Sequence, residues 1–448
     1  MRGPQVFESV LVANRGEIAS RVIRTVRAMG LKSIAVYSEA DAELPFVAEA
    51  DEAVLLGPAP PRDSYLDVSK ILEAARRTNA RAVHPGYGYL SESADFARRV
   101  VDEGLGWIGP PPLTIARMGD KVNARNLMKD AGVPVAPGVW EPVTDARTAA
   151  EEAERIGYPV MVKIAAGGGG LGMSAARDEA ELRTAYQNAR TQAERVFGSA
   201  DILLERFVEH ARHVEIQILG LADGTVVALG ERDCSVQRRH KKVADESPSP
   251  GVGAELRARM LDAAVRAGEA VGYRGAGTVE CLVEPAAQTF FFLEMNTRLP
   301  VEHPVTELVT GIDLVEQQLR VAAGEPPSFT DATPRGHALE LRVHAEDPRR
   351  FLPTSGTIKV WEEPVGEGIR IDAGYAEGNT VTPYYDPLLA KLCVHAADRP
   401  AALDRARAAL GAFTIDGLPT NLPFLAELLD TPEFAKGTYD TGIVGRMR

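Results

Sequence analysis

Cysteine is scarce. Three occur in 448 residues, Cys234, Cys281 and Cys393, far apart and odd in number. With no CxxC pair, a disulfide framework or structural zinc site is disfavoured and a reducing compartment fits best. The eight histidines form no HExxH; His210 and His213 are close but lack a ligand set, so no zinc is assigned. Positive charge is in deficit, with a formal net charge of −13. That argues against a broad surface for nucleic acid or anionic membrane, because such surfaces must neutralise phosphates. No apolar run approaches the ~20 residues of a membrane span, and the N-terminus lacks a signal-peptide apolar stretch. There is no internal repeat and no Walker GxxxxGK[ST] pattern. The expectation is a soluble, cytoplasmic protein with no nucleic-acid or membrane partner. Its length exceeds what one hydrophobic core usually serves, so two or three domains are expected.

The first hundred residues alternate strand and helix. Residues 10–13, 33–37, 53–56 and 81–84 read as strands. After the first comes a helix with Ala19, Val22, Ile23, Val26 and Met29 on one face, closed by Gly30. This βαβ pattern predicts a parallel sheet, whose ligand-facing loops lie at the carboxyl ends of strands. Asn14-Arg15-Gly16 and His84-Pro85-Gly86-Tyr87-Gly88 are such loops. A Pro-rich stretch at 109–112 reads as a boundary. Residues 135–207 form a compact insert with helices near 145–156 and 178–196 and strands at 159–165 and 201–207. Beyond it the pattern turns antiparallel. Asp223-Gly224 joins strands 213–219 and 225–229 as a hairpin, a helix follows at 254–271, then strands 277–284, 289–296 and 338–345.

Five features carry candidate chemistry. The loop Gly167-Gly168-Gly169-Gly170-Leu171-Gly172-Met173 matches GxGxxG formally, but lies mid-chain rather than in a first βα turn, so a dinucleotide fingerprint is disfavoured. A flexible linker is the bland reading. Lys163 on the strand delivering the loop favours phosphate binding. Alternation puts Thr278, Glu280, Leu282 and Glu284 on one face, and Phe290, Phe292, Glu294 and Asn296 on one face of the next strand. Paired as a hairpin, Glu280 and Glu294 meet beside Asn296. Opposed carboxylates repel unless a cation such as Mg²⁺ sits between them; a solvated polar face is the alternative. Gln237-Arg238-Arg239-His240-Lys241-Lys242 is a basic run in an acidic chain, either a solvated face or an anion trap. In Arg298-Leu299-Pro300-Val301-Glu302-His303-Pro304, Arg298 offers a fork for a planar oxyanion and Glu302 a general base; a simple Arg298–Glu302 ion pair is the alternative. Finally, strand 338–345 is amphipathic, with Glu340, Arg342 and His344 on the polar face.

Taken in order, these segments resemble biotin carboxylase, of the ATP-grasp superfamily. The resemblance rests on Ala13-Asn14-Arg15-Gly16-Glu17, His84-Pro85-Gly86-Tyr87-Gly88, Met118-Gly119-Asp120-Lys121, Glu231-Arg232-Asp233-Cys234-Ser235, Glu294-Met295-Asn296-Thr297-Arg298, Val301-Glu302-His303-Pro304 and Tyr385-Asp386-Pro387, and runs from about residue 6 to the C-terminus. It implies an α/β and α+β architecture in three parts: an N-terminal parallel βαβ sheet domain (1–117), an ATP-grasp domain (118–325) whose small glycine-loop lid spans 135–207, and a C-terminal mixed α/β domain (333–446).

The resemblance also implies roles. Lys121, Lys163 and the backbone of Gly168, Gly169 and Gly170 would meet ATP phosphates. Glu205, Arg206, Val208, His213 and Leu282 would surround adenine and ribose. Gln237, His240 and Lys242 would reach the phosphate and bicarbonate region, and Glu280, Glu294 and Asn296 would hold Mg²⁺ or Mn²⁺. Arg298, Val301 and Glu302 would bind bicarbonate, with Glu302 as base. Arg342 would stabilise a biotin enolate, with Tyr87 nearby. No biotin attachment motif of the Met-Lys type in a C-terminal carrier domain is present, so biotin is expected on a separate carrier protein, with a carboxyltransferase subunit as further partner and a homodimer as the assembly. The chain departs from the family pattern at Leu171, where Arg or Lys is usual, and at Pro300, where Gln is usual. Two other readings stay open: an ATP-grasp ligase with a different acceptor, and a degenerate ATP-binding subunit.

Overall fold

A computed structural model describes residues 7–139, 141–165, 172–197, 201–239 and 241–447. Gly168, Gly169, Gly170, Leu171 and His240 lie outside the described residues.

Strands β1 (Ser9–Val12), β2 (Lys32–Ser38), β3 (Glu52–Gly57), β4 (Ala82–His84) and β5 (Gly106–Trp107) form an all-parallel sheet in the order β3-β2-β1-β4-β5. The order reverses between β1 and β4, which opens a crevice at their carboxyl ends. The two expected loops meet there: Asn14 Nδ2 donates to the carbonyls of Pro85 and Tyr87, at 2.7 Å each. Helix Gly16–Ala28 packs Ala19, Val22, Ile23 and Val26 into the core beneath, as its spacing predicts.

The insert has its own core. Strands β6 (Val160–Ile164), β7 (Ser174–Ala176) and β8 (Ile202–Arg206) pair antiparallel in the order β7-β6-β8. Val160, Val162, Ile164, Leu182 and Leu204 are buried between them and helices Ala146–Ile156 and Glu179–Phe197. β7 is too short and too small-residued for the alternation pattern to detect.

The main body is one eight-stranded antiparallel sheet. It contains β9 (Arg212–Gly220), β10 (Val226–Arg238), β11 (Lys241–Ser247), β12 (Gly275–Glu284), β13 (Thr289–Asn296) and β14 (His337–His344). After the short β15 (Gly356–Thr357) and β16 (Val360–Glu362) come β17 (Ile369–Ala373), β18 (Thr380–Val381), β19 (Leu388–Ala396) and β20 (Thr414–Asp416). The order is β13-β12-β9-β10-β11-β14-β19-β17, with β15–β18 and β16–β20 as separate ladders. The sheet therefore runs without a break across the segment boundary at 325–333.

Three sequence expectations change. First, β10 does not end near residue 229. It passes a register shift between Ala228 and Glu231 and continues to Arg238. The basic run is thereby divided between the end of β10 and the start of β11, with Arg239 in the left-handed region at φ 49° in the turn. Second, all eight residues of β14 are buried, so its polar face is not a solvent face. Third, Phe290 and Phe292 do not share a face with Glu294 and Asn296. A register shift between Glu280 and Cys281 leaves Leu293 as an extra residue; Cys281 pairs with Phe292 and Val283 with Phe290, all four in the core. Such a bulge reverses the side-chain phase beyond it. Leu282 and Phe291 are the next cross-strand pair beyond the bulge, while Phe292 and Leu293 line a cavity beside Glu294.

Candidate functional site

A cavity of about 350 Å³ lies between the insert and the large sheet. Lys121, Lys163, Glu205, His213, Gln237, Lys242, Glu280, Glu294, Asn296, Arg298, Val301, Glu302 and Arg342 all line it. These residues come from segments more than two hundred positions apart, from Lys121 to Arg342. Leu282, Tyr87, Arg206 and Val208 do not line it. Arg206 is exposed, 3.7 Å from Glu284, and Val208 is buried. Tyr87 stands in the loop after β4, its ring centroid 5.9 Å from Lys391 Nζ.

Lys242, on β11, is the centre of the polar wall. Its Nζ donates to Glu215 Oε2 at 2.6 Å, Glu280 Oε1 at 2.8 Å and Glu302 Oε1 at 2.5 Å. Burial opposes its charge, but these three carboxylates outweigh burial and hold its pKa well above the usual lysine value. Glu302 stands at the N-cap position of helix His303–Thr310 without a side-chain capping bond, and its Oε2 accepts from Arg342 Nη2 at 3.1 Å. Burial alone would keep Glu302 protonated. Lys242, Arg342 and Arg232 outweigh it and hold the carboxyl well below the ordinary range. Glu280 is likewise held low, against burial, by Lys242 and His213. Glu215 goes the other way: burial and the neighbouring Glu302 push it up to about 7.

The expected carboxylate pair forms. Glu280 and Glu294 are direct cross-strand partners, and Asn296 Nδ2 donates to Glu280 Oε1 at 2.8 Å. Burial and the charge of Glu280 push Glu294 up. Two hard carboxylates and an amide oxygen, one carboxyl resisting ionisation beside the other, are a donor set that fits Mg²⁺ or Mn²⁺. His213, Glu215 and Glu280 also converge, with ligand atoms within 4.8 Å of one another. Within that group Glu215 is held by both Arg232 and Lys242. The alternative Arg298–Glu302 ion pair does not form; Arg298 reaches Asn296 Oδ1 at 3.3 Å and Glu92 Oε2 at 3.3 Å.

At the insert side, Glu205 is shared by Lys163 and by Arg125 Nη1 at 3.0 Å. Burial opposes ionisation of Glu205, yet Lys163 and Arg125 keep it low. At the far side, the Arg342 guanidinium lies against Asp245 Oδ2, at 2.9 Å from Nη2, and Glu340 Oε1, at 3.4 Å from Nε.

Sequence reasoning missed Glu215, Gln217, Arg232 and Asp245, and gave Glu340, which it placed on the polar face of 338–345, no role. Arg232 is fully buried and donates to Glu215 at 2.7 Å, Gln217 at 2.8 Å and Thr306 at 2.7 Å. The one available signal was segment 231–235, which carried the resemblance without a role. The others sit in strands whose burial on both faces hides them from alternation.

Comparison with known proteins matches three stretches of the chain. Residues 6–115 match the family described as "Biotin carboxylase, N-terminal domain", residues 120–328 "Carbamoyl-phosphate synthase L chain, ATP binding domain", and residues 340–446 "Biotin carboxylase C-terminal domain". Biotin carboxylase 2 of Bacillus subtilis (strain 168) is 48% identical over 438 residues, 97% of this chain and 98% of that one. The mitochondrial methylcrotonoyl-CoA carboxylase subunit alpha of Oryza sativa subsp. japonica is 48% identical over 98% of this chain, which spans 60% of that longer protein. Among solved structures, the biotin carboxylase domain dimer of Hydrogenobacter thermophilus 2-oxoglutarate carboxylase, in complex with MgADP, ADP and bicarbonate, superposes with a TM-score of 0.93 at 42% identity, covering 99% of this chain and 98% of that one.

Proposed function

The chain belongs to the biotin carboxylase family, a family of ligases, and from that premise we propose that it uses ATP and bicarbonate to carboxylate biotin on a separate carrier protein, as the first half-reaction of an acetyl- or propionyl-CoA type carboxylase. The observation that carries this reading is the shared wall: Glu302 lies between Lys242 and Arg342, adjoining the Glu280–Glu294–Asn296 group.

In this reading Lys121, Lys163, Gln237, His240 and the backbone of Gly168, Gly169 and Gly170 receive the ATP phosphates, beneath a lid spanning 135–207. Glu205, Arg206, Val208, His213 and Leu282 border adenine and ribose. Glu280, Glu294 and Asn296 hold Mg²⁺ or Mn²⁺, which supplies neutralisation of phosphate charge. Arg298 and the Val301 N–H orient bicarbonate, and Glu302 takes its proton. Lys242 has a double use. In the resting site it keeps Glu302 ionised. Once it turns to the γ-phosphate, Glu302 loses its strongest counter-charge and becomes a better base. The bicarbonate oxygen attacks the γ-phosphorus, ADP leaves, and carboxyphosphate breaks to CO₂ and phosphate. Phosphate removes the biotin N1′ proton, N1′ attacks the carbon of CO₂ to give carboxybiotin, and Arg342 meets the oxyanion that develops on the ureido ring, with Tyr87 near the ring.

The division at 1–117, 118–325 and 333–446 is proposed as three functional parts sharing one sheet. A homodimer, a biotin carboxyl carrier protein, a carboxyltransferase subunit and a cytoplasmic setting complete the proposal. The net charge of −13 supports it, and among the described residues no helix is long and apolar enough to cross a membrane. The deciding experiment is ADP release with and without bicarbonate and free biotin. Weak release alone and stimulation by both is expected. A rate indifferent to bicarbonate overturns the reading. Reconstitution with carrier and transferase subunits, comparing acetyl-CoA and propionyl-CoA, tests the acceptor class.

A further inference from the structure

Lys391 is a fully buried lysine on β19, directly across from Arg342 on β14. Like charges opposed on a sheet are destabilising, so a second cation beside Arg342 calls for a reason. Its contacts supply one. Nζ donates to the carbonyl of Val301 at 3.0 Å and lies 3.1 Å from Glu17 Oε2, with the Tyr87 ring on a third side. The Val301 carbonyl belongs to the peptide that also carries the Glu302 N–H. Because a peptide is planar, gripping that oxygen fixes the plane from which Glu302 projects.

The neighbouring peptide is held too. His303 Nδ1 lies 2.8 Å from the Pro300 carbonyl, which can only accept, so Nδ1 carries the proton. Segment 300–302 is therefore held at two successive carbonyls.

Glu17 is itself placed tightly. It sits in the first turn of helix Gly16–Ala28, and Gly374 packs so close that a Cβ there would stand 2.5 Å from the Glu17 backbone nitrogen. Neither Glu17 carboxylate oxygen makes another side-chain hydrogen bond. The acid thus faces Lys391 as its ion partner, from a domain that also reaches Arg298 through Glu92 and shares an apolar core with Leu299.

We propose that Lys391 is a positioning residue for the bicarbonate segment: its ammonium clamps the Val301 carbonyl, and Glu17 of the N-terminal domain holds the ammonium in place. This rests on reading 298–302 as the bicarbonate site. It assigns a use to the acid of the Asn14-Arg15-Gly16-Glu17 turn, whose Asn14 orders the Tyr87 loop. One short turn thereby sets both the bicarbonate segment and the loop on the acceptor side.

The test is the double variant Glu17→Gln/Lys391→Met, which removes both members of the ion pair, although Glu340 and Asp372 also lose a nearby cation. The full-length chain is assayed for bicarbonate-dependent ADP release, and MgADP binding is measured by calorimetry. The expected result is a KM for bicarbonate raised roughly tenfold, the size of one hydrogen bond from a charged donor, with the MgADP Kd within about twofold of wild type. A purely structural role would move both or neither. If the double variant does not fold, Glu17→Gln alone, isosteric and leaving the lysine, carries the same expectation in smaller measure. A bicarbonate-responsive wild type whose folded variant keeps the wild-type KM overturns this assignment alone. A wild type indifferent to bicarbonate removes the functional reading and this assignment with it.

Discussion

Lys242 Nζ and Glu302 Oε1 lie 2.5 Å apart in a buried site, the lysine shared with Glu215 and Glu280 and the acid shared with Arg342. In the proposed mechanism the pair is the resting form of the base. Any ligand that draws the lysine away raises the basicity of the acid at the moment a proton must move.

Glu302→Gln and Arg342→Ala are therefore expected to fail at different steps. Glu302→Gln should suppress bicarbonate-dependent ADP release by about 10²–10⁴-fold, the usual worth of a general base. Arg342→Ala should spare nucleotide binding and damage carboxyl transfer to biotin. It should also destabilise the fold by about 3–5 kcal/mol, because Asp245 is left buried without its cation. Single-turnover ADP formation, carboxybiotin yield and urea unfolding separate the three effects. Wild-type bicarbonate response in both variants would show that the roles are misassigned.

Acid should loosen the junction between the sheet and the C-terminal helices. Burial opposes ionisation of Glu246, but His337 and Arg399 outweigh it and hold its carboxyl down at about 2. A carboxyl depressed in the folded state contributes stability above its unfolded value, and loses it as pH falls through the folded value. The window is therefore from about pH 4.5 down to about pH 2, and the contribution about 3 kcal/mol. Glu246→Gln should be less stable at pH 7 and show a flatter fall in unfolding free energy below about pH 4.5. An acid limb as steep as wild type would contradict this.

Mg-nucleotide should slow hydrogen exchange across residues 165–175. The three-stranded insert has its own core, so it can move as a unit over the cavity. No protection at saturating nucleotide would argue that the insert does not close.

Pro300→Gln and Leu171→Arg should each improve the enzyme by a few-fold. Proline lacks an N–H, and one neutral hydrogen bond contributes about 0.5–1.5 kcal/mol, so Pro300→Gln should lower the bicarbonate KM. Leu171→Arg adds a charge that salt screens and should raise the rate modestly. A wild type that is inactive with a proven carrier, and a double variant that alone works, would make this chain a degenerate subunit.

What the residues determined by themselves is local. Helix Gly16–Ala28, the Asp223-Gly224 hairpin and the Glu280–Glu294 pairing follow from short-range periodicity and turn chemistry, because each is settled within about twenty residues of chain. Tertiary structure decided the rest. The extra residue at Leu293 turned Phe290 and Phe292 into the core, since a bulge is a packing choice that alternation cannot register. Arg342 reads as an ordinary arginine on an amphipathic strand until β11 and β19 cover both its edges and Asp245, Glu302 and Glu340 converge on it. Glu215, Arg232 and Lys391 lie in strands buried on both faces, where polar residues leave no periodic trace. Their meaning comes from partners that only the order of eight strands brings within hydrogen-bond reach, because a buried charge is defined by what neutralises it.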